Sequence, residues 1–319
     1  MVMEKRQADD PRNSPIWLRQ ELIDQGFNDR AIAQHRKQGI LVRPRRGAYV
    51  DGAAWRSLDE AGQHALTARA VLLQAKAEVV LSHVSALDEY DAPTWGVDLS
   101  VVHVTRKDGK AGRKERGIQQ HCGLLLPEDV VMRNGVPVTS ATRLALDVTT
   151  VVGAEVGLGI VNHLLHQGLT SKESLELRYA SMDHWPHTLR TDLVLRLADP
   201  RIESLGESRT DHLCFVQHLP RPIPQCEIRD RAGNVVARVD FAWPEHGVFM
   251  EFDGKVKYER FLRKGESASD AVVREKRREE MICELTGWRC IRLTWADLYT
   301  PELTAQRIRN LLFPVGKVA

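Results

Sequence analysis

The chain has almost no excess charge of either sign: 45 lysines and arginines against 43 aspartates and glutamates leave a formal +2 over 319 residues. This excludes a polycation drawn to nucleic acid by bulk electrostatics, so any such binding must come from local patches. Cysteine is scarce and scattered. The five (Cys122, Cys214, Cys226, Cys283 and Cys290) are odd in number and never form a C-x-x-C pair, which argues against a disulfide framework and for a reduced, cytoplasmic setting. Long hydrophobic runs are missing as well. The most apolar stretch, Thr149 to Leu165, is interrupted by Glu155 and Asn162 and is short of a membrane span. The opening residues, MVMEKRQADDPRNSP, lack the apolar core of a secretion signal, and 1–13 are expected to form a mobile tail. Aromatics make up 6% of the chain, and no stacking platform for RNA bases is evident among them. There is no internal repeat. What remains is ordinary globular composition, 43% hydrophobic and 28% charged, in a length that suits two or three domains.

Residues 14–54 read as helix, turn, helix and hairpin. Ile16, Leu18, Leu22 and Ile23 give a helical face, GFN breaks it, and Asn28 or Asp29 can cap a second helix that Gly39 ends. The hairpin Ile40 to Val50 follows. Arg36, Lys37, Arg43, Arg45 and Arg46 are five basic residues with no acid between positions 36 and 46, a cluster able to meet DNA phosphates or simply to be solvated. Residues 55–198 mix a helix around His64 to Ala77, a strand at 99–105, the basic loop Lys107 to Arg116 and several helices. Thr139 or Ser140 can cap the helix that buries Leu144, Ala145 and Val148. Three candidates for metal ligation are set aside: His184 and His187 are separated by Pro186, and His121 next to Cys122 has no second pair, so it reads as structural.

Pro200 and Gly206 mark a boundary, and 199–319 alternate apolar strands with amphipathic helices, which predicts a sheet covered by helices. Here the chemistry concentrates. In VDFAWPEHGVFMEFDGKVKY (239–258), strand alternation puts Glu251, Asp253, Lys255 and Lys257 on one side and Met250, Phe252 and Val256 on the other. Val248 and Phe249 make the start of that strand apolar on both faces, as in a central strand. Carboxylates gathered there, with Asp240, form a donor set for Mg2+ or Mn2+, and a lysine beside them can orient water or steady charge on a phosphate. Trp288 and Trp295 bracket an apolar strand and are expected to pack rather than stack on bases.

Two resemblances attach to these residues. Arg45, Arg46, Gly47, Ala48, Tyr49 and Val50 resemble the end of the N-terminal winged-helix domain of the AbiEi family of type IV antitoxins. LSHVSA and PVTSATRLALD resemble the middle region of the same group. The segments R-V-D-F-A-W-P (238–244), E-F-D-G (251–254), K-Y (257–258), Arg274 to Arg278 and G-W-R-C-I-R-L-T-W (287–295) are similar to the PD-(D/E)XK nuclease superfamily. Within it they look most like the domain-of-unknown-function family 559, relatives of the very-short-patch repair endonucleases. That resemblance implies Asp240 and Glu251 as metal-binding carboxylates with Asp253 beside them, and Lys255 or Lys257 as the catalytic lysine. It also implies Glu207, or its rival Glu203, as a supporting helix glutamate. Many relatives carry a histidine where this chain has Lys257 and Tyr258.

The expectation is a multidomain α+β chain: a winged helix (14–54), a mixed α/β middle domain (55–198) and a restriction-endonuclease-like mixed sheet flanked by helices (199–319). Its expected activity is divalent-metal-dependent cleavage of DNA, in repair or phage defence. The alternatives are an antitoxin-like DNA-binding regulator with an inert nuclease fold, or a nuclease acting on RNA. Expected partners are DNA, a second copy of the chain and a cognate toxin; no membrane is expected.

Overall fold

A computed structural model of the chain describes residues 6–110, 114–182, 185, 188–254 and 268–314. It is a mixed α/β structure with three sheets, and it divides into two compact units, Met1–Ile160 with Gly168–Asp192 and Val161–Gln167 with Leu193–Ala319. Among the described residues no helix is long and apolar enough to cross a membrane.

The first unit opens with β1 (Ile16–Leu18), α1 (Arg19–Asp24), α2 (Asp29–Lys37), β2 (Leu41–Arg45) and β3 (Ala48–Asp51). Ile16 and Leu18, read above as part of a helical face, are instead extended and pair with Val50 and Ala48. The reason is local: the Glu21 carboxylate accepts the Leu18 N–H at 2.7 Å, which starts the helix only at Arg19 and leaves the preceding apolar residues for the free edge of β3. Asn28 caps α2, accepting from the Ala31 N–H at 2.9 Å.

After α3 (Gly52–Ser57) and α4 (Glu60–Gln74) comes a six-stranded mixed sheet. Its strands are β4 (Val79–Leu81), β5 (Val102–Arg106), β6 (Lys114–Glu115), β7 (Ile118–His121), β8 (Val130–Arg133) and β9 (Val136–Thr139), in the order β6-β7-β5-β4-β9-β8. A 3-10 run, His83–Tyr90, links β4 towards β5. Ser140 caps α5 (Ala141–Val151), whose Leu144, Ala145 and Val148 are fully buried. The helices α6 (Ala154–His166), α7 (Lys172–Ala180) and α8 (Leu189–Leu197) follow.

The second unit contains α9 (Leu205–Val216), β10 (Ile223–Arg229), β11 (Val235–Trp243), β12 (Val248–Asp253), α10 (Ala268–Thr286), β13 (Arg289–Thr294), α11 (Trp295–Leu298) and α12 (Pro301–Leu312). The sheet order is β10-β11-β12-β13, antiparallel except for the parallel pair β12/β13, which is joined through α10. Both faces are covered, and this is why β12 is apolar on both sides at its start. Phe241, Val248, Met250, Phe252 and Leu293 pack with Leu213 of α9 and with Ile308 and Leu312 of α12. Val239 and Phe249 pack on the other face with Ile282 of α10. Burying each of these side chains contributes about 1.5–3 kcal/mol. Trp288 and Trp295 are half-buried against these two cores, Trp295 edge-on to Phe252 with centroids 5.1 Å apart.

Candidate acidic site in the second unit

Strand register decides where the carboxylates fall. β11 and β12 pair at Trp243↔Val248, Ala242↔Phe249 and Phe241↔Met250. One position further, the Asp240 side chain takes over: its Oδ2 accepts the Phe252 N–H at 2.7 Å, satisfying a donor of an interior strand. On the other side of β11, Gln225 falls between the pairs Pro224↔Phe241 and Cys226↔Val239, opposite Asp240. Its φ of +51° is a left-handed conformation that non-glycine residues seldom adopt.

Glu251 is half-buried on β12, and its Oε1 accepts from the Arg278 guanidinium at 3.0 Å. Arg278 also donates to the Arg238 carbonyl, which holds α10 to the sheet at this point. Burial, and then the negative charge of Asp240, push the Glu251 carboxyl up to about 7, while Arg278 pulls the other way. Two carboxylates on neighbouring strands thus resist being charged together.

Glu207 reaches the same place from α9. Its Oε1 accepts from the Ser204 hydroxyl at 2.7 Å, and its Oε2 accepts from the Glu203 N–H at 3.0 Å and the Gln225 amide at 2.9 Å. The Ser204 hydroxyl in turn accepts the Glu207 N–H at 3.2 Å, completing a reciprocal cap of the helix. Burial and the charge of Asp240 raise the Glu207 carboxyl above its ordinary range against these hydrogen bonds. The helix sits this close because residue 206 is glycine: a Cβ there would stand 2.1 Å from Cε1 of Phe252. Glu203, the rival, is turned away into an ion pair with Arg238 at 2.8 Å.

Asp240 is therefore within electrostatic reach of both Glu207 and Glu251. Asp253 ends β12 opposite Thr294 of β13, half-buried and on the side of the strand that Glu251 shares. Lys255 and Lys257 lie outside the described residues, as do His184 and His187. Sequence reading passed over Gln225 and, within the run Arg274 to Arg278, gave Arg278 no role at the site. Gln225 carries no signal in the sequence, because its conformation follows from pairing. Arg278 does carry one: Ile282, one helical turn further on, is wholly buried, which places Arg278 on the sheet-facing side of α10.

All the donors at this site are carboxylate oxygens, hard ligands that fit Mg2+ or Mn2+, and Mg2+ commonly takes only one or two protein carboxylates. Among the described residues, the one trio of potential ligand atoms lying mutually within 4.8 Å is made of histidines in the first unit.

The five basic residues of the first unit lie at the end of α2 (Arg36, Lys37), on β2 (Arg43, Arg45) and in the turn that follows (Arg46). Arg36, Lys37, Arg43 and Arg46 are exposed and Arg45 is half-buried. None forms an ion pair with an acid among the described residues. Gly47 turns the hairpin at φ +82°, and the Gln74 amide donates to the Arg46 carbonyl at 3.0 Å. No protein-family model matches the chain, and no curated protein matches it at a significant level.

Proposed function

We propose that the chain is a divalent-metal-dependent DNA endonuclease, with its hydrolytic site at Asp240, Glu251, Asp253 and Glu207 and its DNA contacts at Arg36, Lys37, Arg43, Arg45 and Arg46. The reading includes a winged helix at 14–54, an AbiEi-like middle region and a PD-(D/E)XK-like domain at 199–319, in keeping with the motif resemblances above. The observation that carries it is the opposition between Glu251 and Asp240: two half-buried carboxylates on adjoining strands, one pushed up to about 7, are an arrangement that a cation would relieve.

Asp240 and Glu251 would hold Mg2+ or Mn2+, which supplies Lewis-acid polarisation of a phosphodiester and a more acidic water. Glu207, within electrostatic reach of Asp240, would support the metal or its water. Arg278, already at hydrogen-bond distance from Glu251, steadies the carboxylate as it ionises. Lys255 or Lys257 would supply the ammonium that handles the nucleophile. The cations of α2 and the hairpin, which form no ion pair among the described residues, carry the chain to DNA, each phosphate contact releasing counterions.

A second reading has its own support. Each carboxylate already has a partner in the protein: Asp240 the Phe252 N–H, Glu251 Arg278, and Glu207 the helix cap. A DNA-binding regulator whose nuclease fold is inert would show such a network. Supercoiled plasmid, linear DNA and RNA, each with Mg2+, Mn2+ or EDTA, separate the two. The endonuclease nicks plasmid only with metal, and Asp240→Asn, which keeps an acceptor for Phe252, lowers the rate at least ~100-fold, as does one of Lys255→Ala and Lys257→Ala. Salt-sensitive DNA binding without strand scission in any of these conditions leaves the regulator.

A further inference from the structure

The histidine trio lies in the first unit, away in sequence from every residue used above. His103 is on β5 and His121 ends β7; the two strands are parallel, with His103 opposite Gln119 and Thr105 opposite His121, so both rings project from the same face. His83 opens the 3-10 run after β4, at φ +49°, a strained position for a side chain of this kind. The rings of His83 and His121 stack with centroids 3.6 Å apart, and Nε2 of His121 stands 3.0 Å from Nδ1 of His103. One nitrogen from each ring lies within 4.8 Å of the other two.

We propose that His83, His103 and His121 form a zinc-binding centre. Three imidazoles are borderline-soft donors that suit Zn2+ and its first-row neighbours rather than Mg2+. Two nitrogens on one tetrahedral zinc stand about 3.3 Å apart, close to the His103–His121 separation, and binding turns the His83 ring out of its stack on His121 so that its nitrogen also faces the ion. His83 is buried while His103 and His121 are half-buried, so the trio reaches solvent on the side of those two rings, where water would complete a four-coordinate site.

The surroundings supply the outer layer that metal-bound histidines usually have. Nδ1 of His83 is 3.0 Å from the Ser82 hydroxyl, which accepts from Thr105 Oγ1 at 2.8 Å. Beyond it lies Asp147: its Oδ2 is buried with no hydrogen-bond partner among the described residues and is 3.9 Å from the same His83 nitrogen. Oδ1 of Asp147 accepts from Arg143 at 2.7 Å. Arg143 is itself tied to Asp129 at 3.2 Å, so its positive charge is offset beside the trio. Nothing in the sequence pairs these three histidines; parallel pairing of β5 with β7 brings them together.

The test uses the full chain, stripped with EDTA and dialysed. Gel filtration after addition of Zn2+ should leave about one equivalent bound, and Co2+ should give the visible absorption of a four-coordinate site. Asp240→Asn should retain both signals, which excludes the acidic site as their source. His121→Ala should abolish the Co2+ band, and Asp147→Asn should weaken zinc binding about 10–100-fold through loss of the outer layer. A wild-type chain that binds neither ion overturns the proposal without recourse to any variant. So does a cobalt band that persists in His121→Ala, or in His103→Ala should the first variant fail to fold.

Discussion

The acidic cluster of the second unit and the histidine cluster of the first are built from opposite materials and respond to burial in opposite directions. Withdrawal from water penalises charge, so it raises Glu207 and Glu251 and lowers His83, His103 and His121. Both clusters are thereby driven towards neutrality, the acids by taking up protons and the imidazoles by shedding them. They differ in what holds them. Each acid is anchored by a group outside the cluster: a backbone N–H for Asp240, a guanidinium for Glu251 and a helix cap for Glu207. The histidines lean on one another, ring on ring and nitrogen on nitrogen. Burial alone therefore identifies neither cluster as a metal site. Donor chemistry distinguishes them, hard oxygen against borderline nitrogen, and the anchoring makes the acidic cluster open to tests of packing that leave the histidines untouched.

The largest effect on stability should come from Gly206→Ala. The added Cβ would fall 2.1 Å from the ring of Phe252, which is itself locked in the core between sheet and helices. Overpacking of this kind costs about 3 kcal/mol, more than the helix propensity gained from alanine. Urea unfolding should show the loss, and Phe252→Leu in the same chain should recover part of it, since the two positions share one contact. The Co2+ spectrum should not change. Unaltered stability would mean that α9 is not seated on β12, and that Glu207 is not held at the site.

A smaller effect lies in pH. Folded Glu251 takes up its proton at about 7, whereas an ordinary glutamate does so near 4.5. Between those values the folded state holds the extra proton, so this group's contribution to stability falls as pH rises through the window and stays low above it. In EDTA, Glu251→Gln should therefore gain on the wild type by about 2 kcal/mol between pH 5 and pH 8. A difference that is flat with pH would show that Glu251 is ionised throughout, and the opposition with Asp240 on which the endonuclease reading rests would be gone.

Much of the second unit was legible in its sequence because its signals are local. Apolar residues on both sides of 248–250 mark an interior strand, Gly233 and Asn234 mark a hairpin turn, and alternation alone puts Glu251 and Asp253 on one face. The partners of those acids were not legible. Asp240 finds the Phe252 N–H only because strand pairing gives way to its side chain there, and Glu207 meets Gln225 where that residue takes a left-handed conformation within β10. The same limit hid the histidines. His121 beside Cys122 looks structural in isolation, and its neighbours His83 and His103 arrive through a sheet order, β7-β5-β4, that no spacing encodes. Ile16 and Leu18 were misread for a related reason: their periodicity fits a helix, but the edge of β3 offers them hydrogen bonds as a strand.

The smallest effect separates the two duties of Glu207. Ser204 both caps α9 and donates to the Glu207 carboxylate, so Ser204→Ala should cost about 1 kcal/mol, the usual worth of a helix cap. It also removes a hydrogen bond that favours the charged form, leaving burial and Asp240 to raise the carboxyl further. If Glu207 serves only to cap the helix, the substitution should lower stability and leave DNA nicking unchanged in saturating Mn2+. If it supports the metal or its water, nicking should fall as well, and a higher pH should restore it as the carboxylate regains its charge. Rates measured from pH 6 to pH 9 beside a urea titration distinguish these outcomes, because a purely structural loss moves the unfolding midpoint without displacing the pH profile.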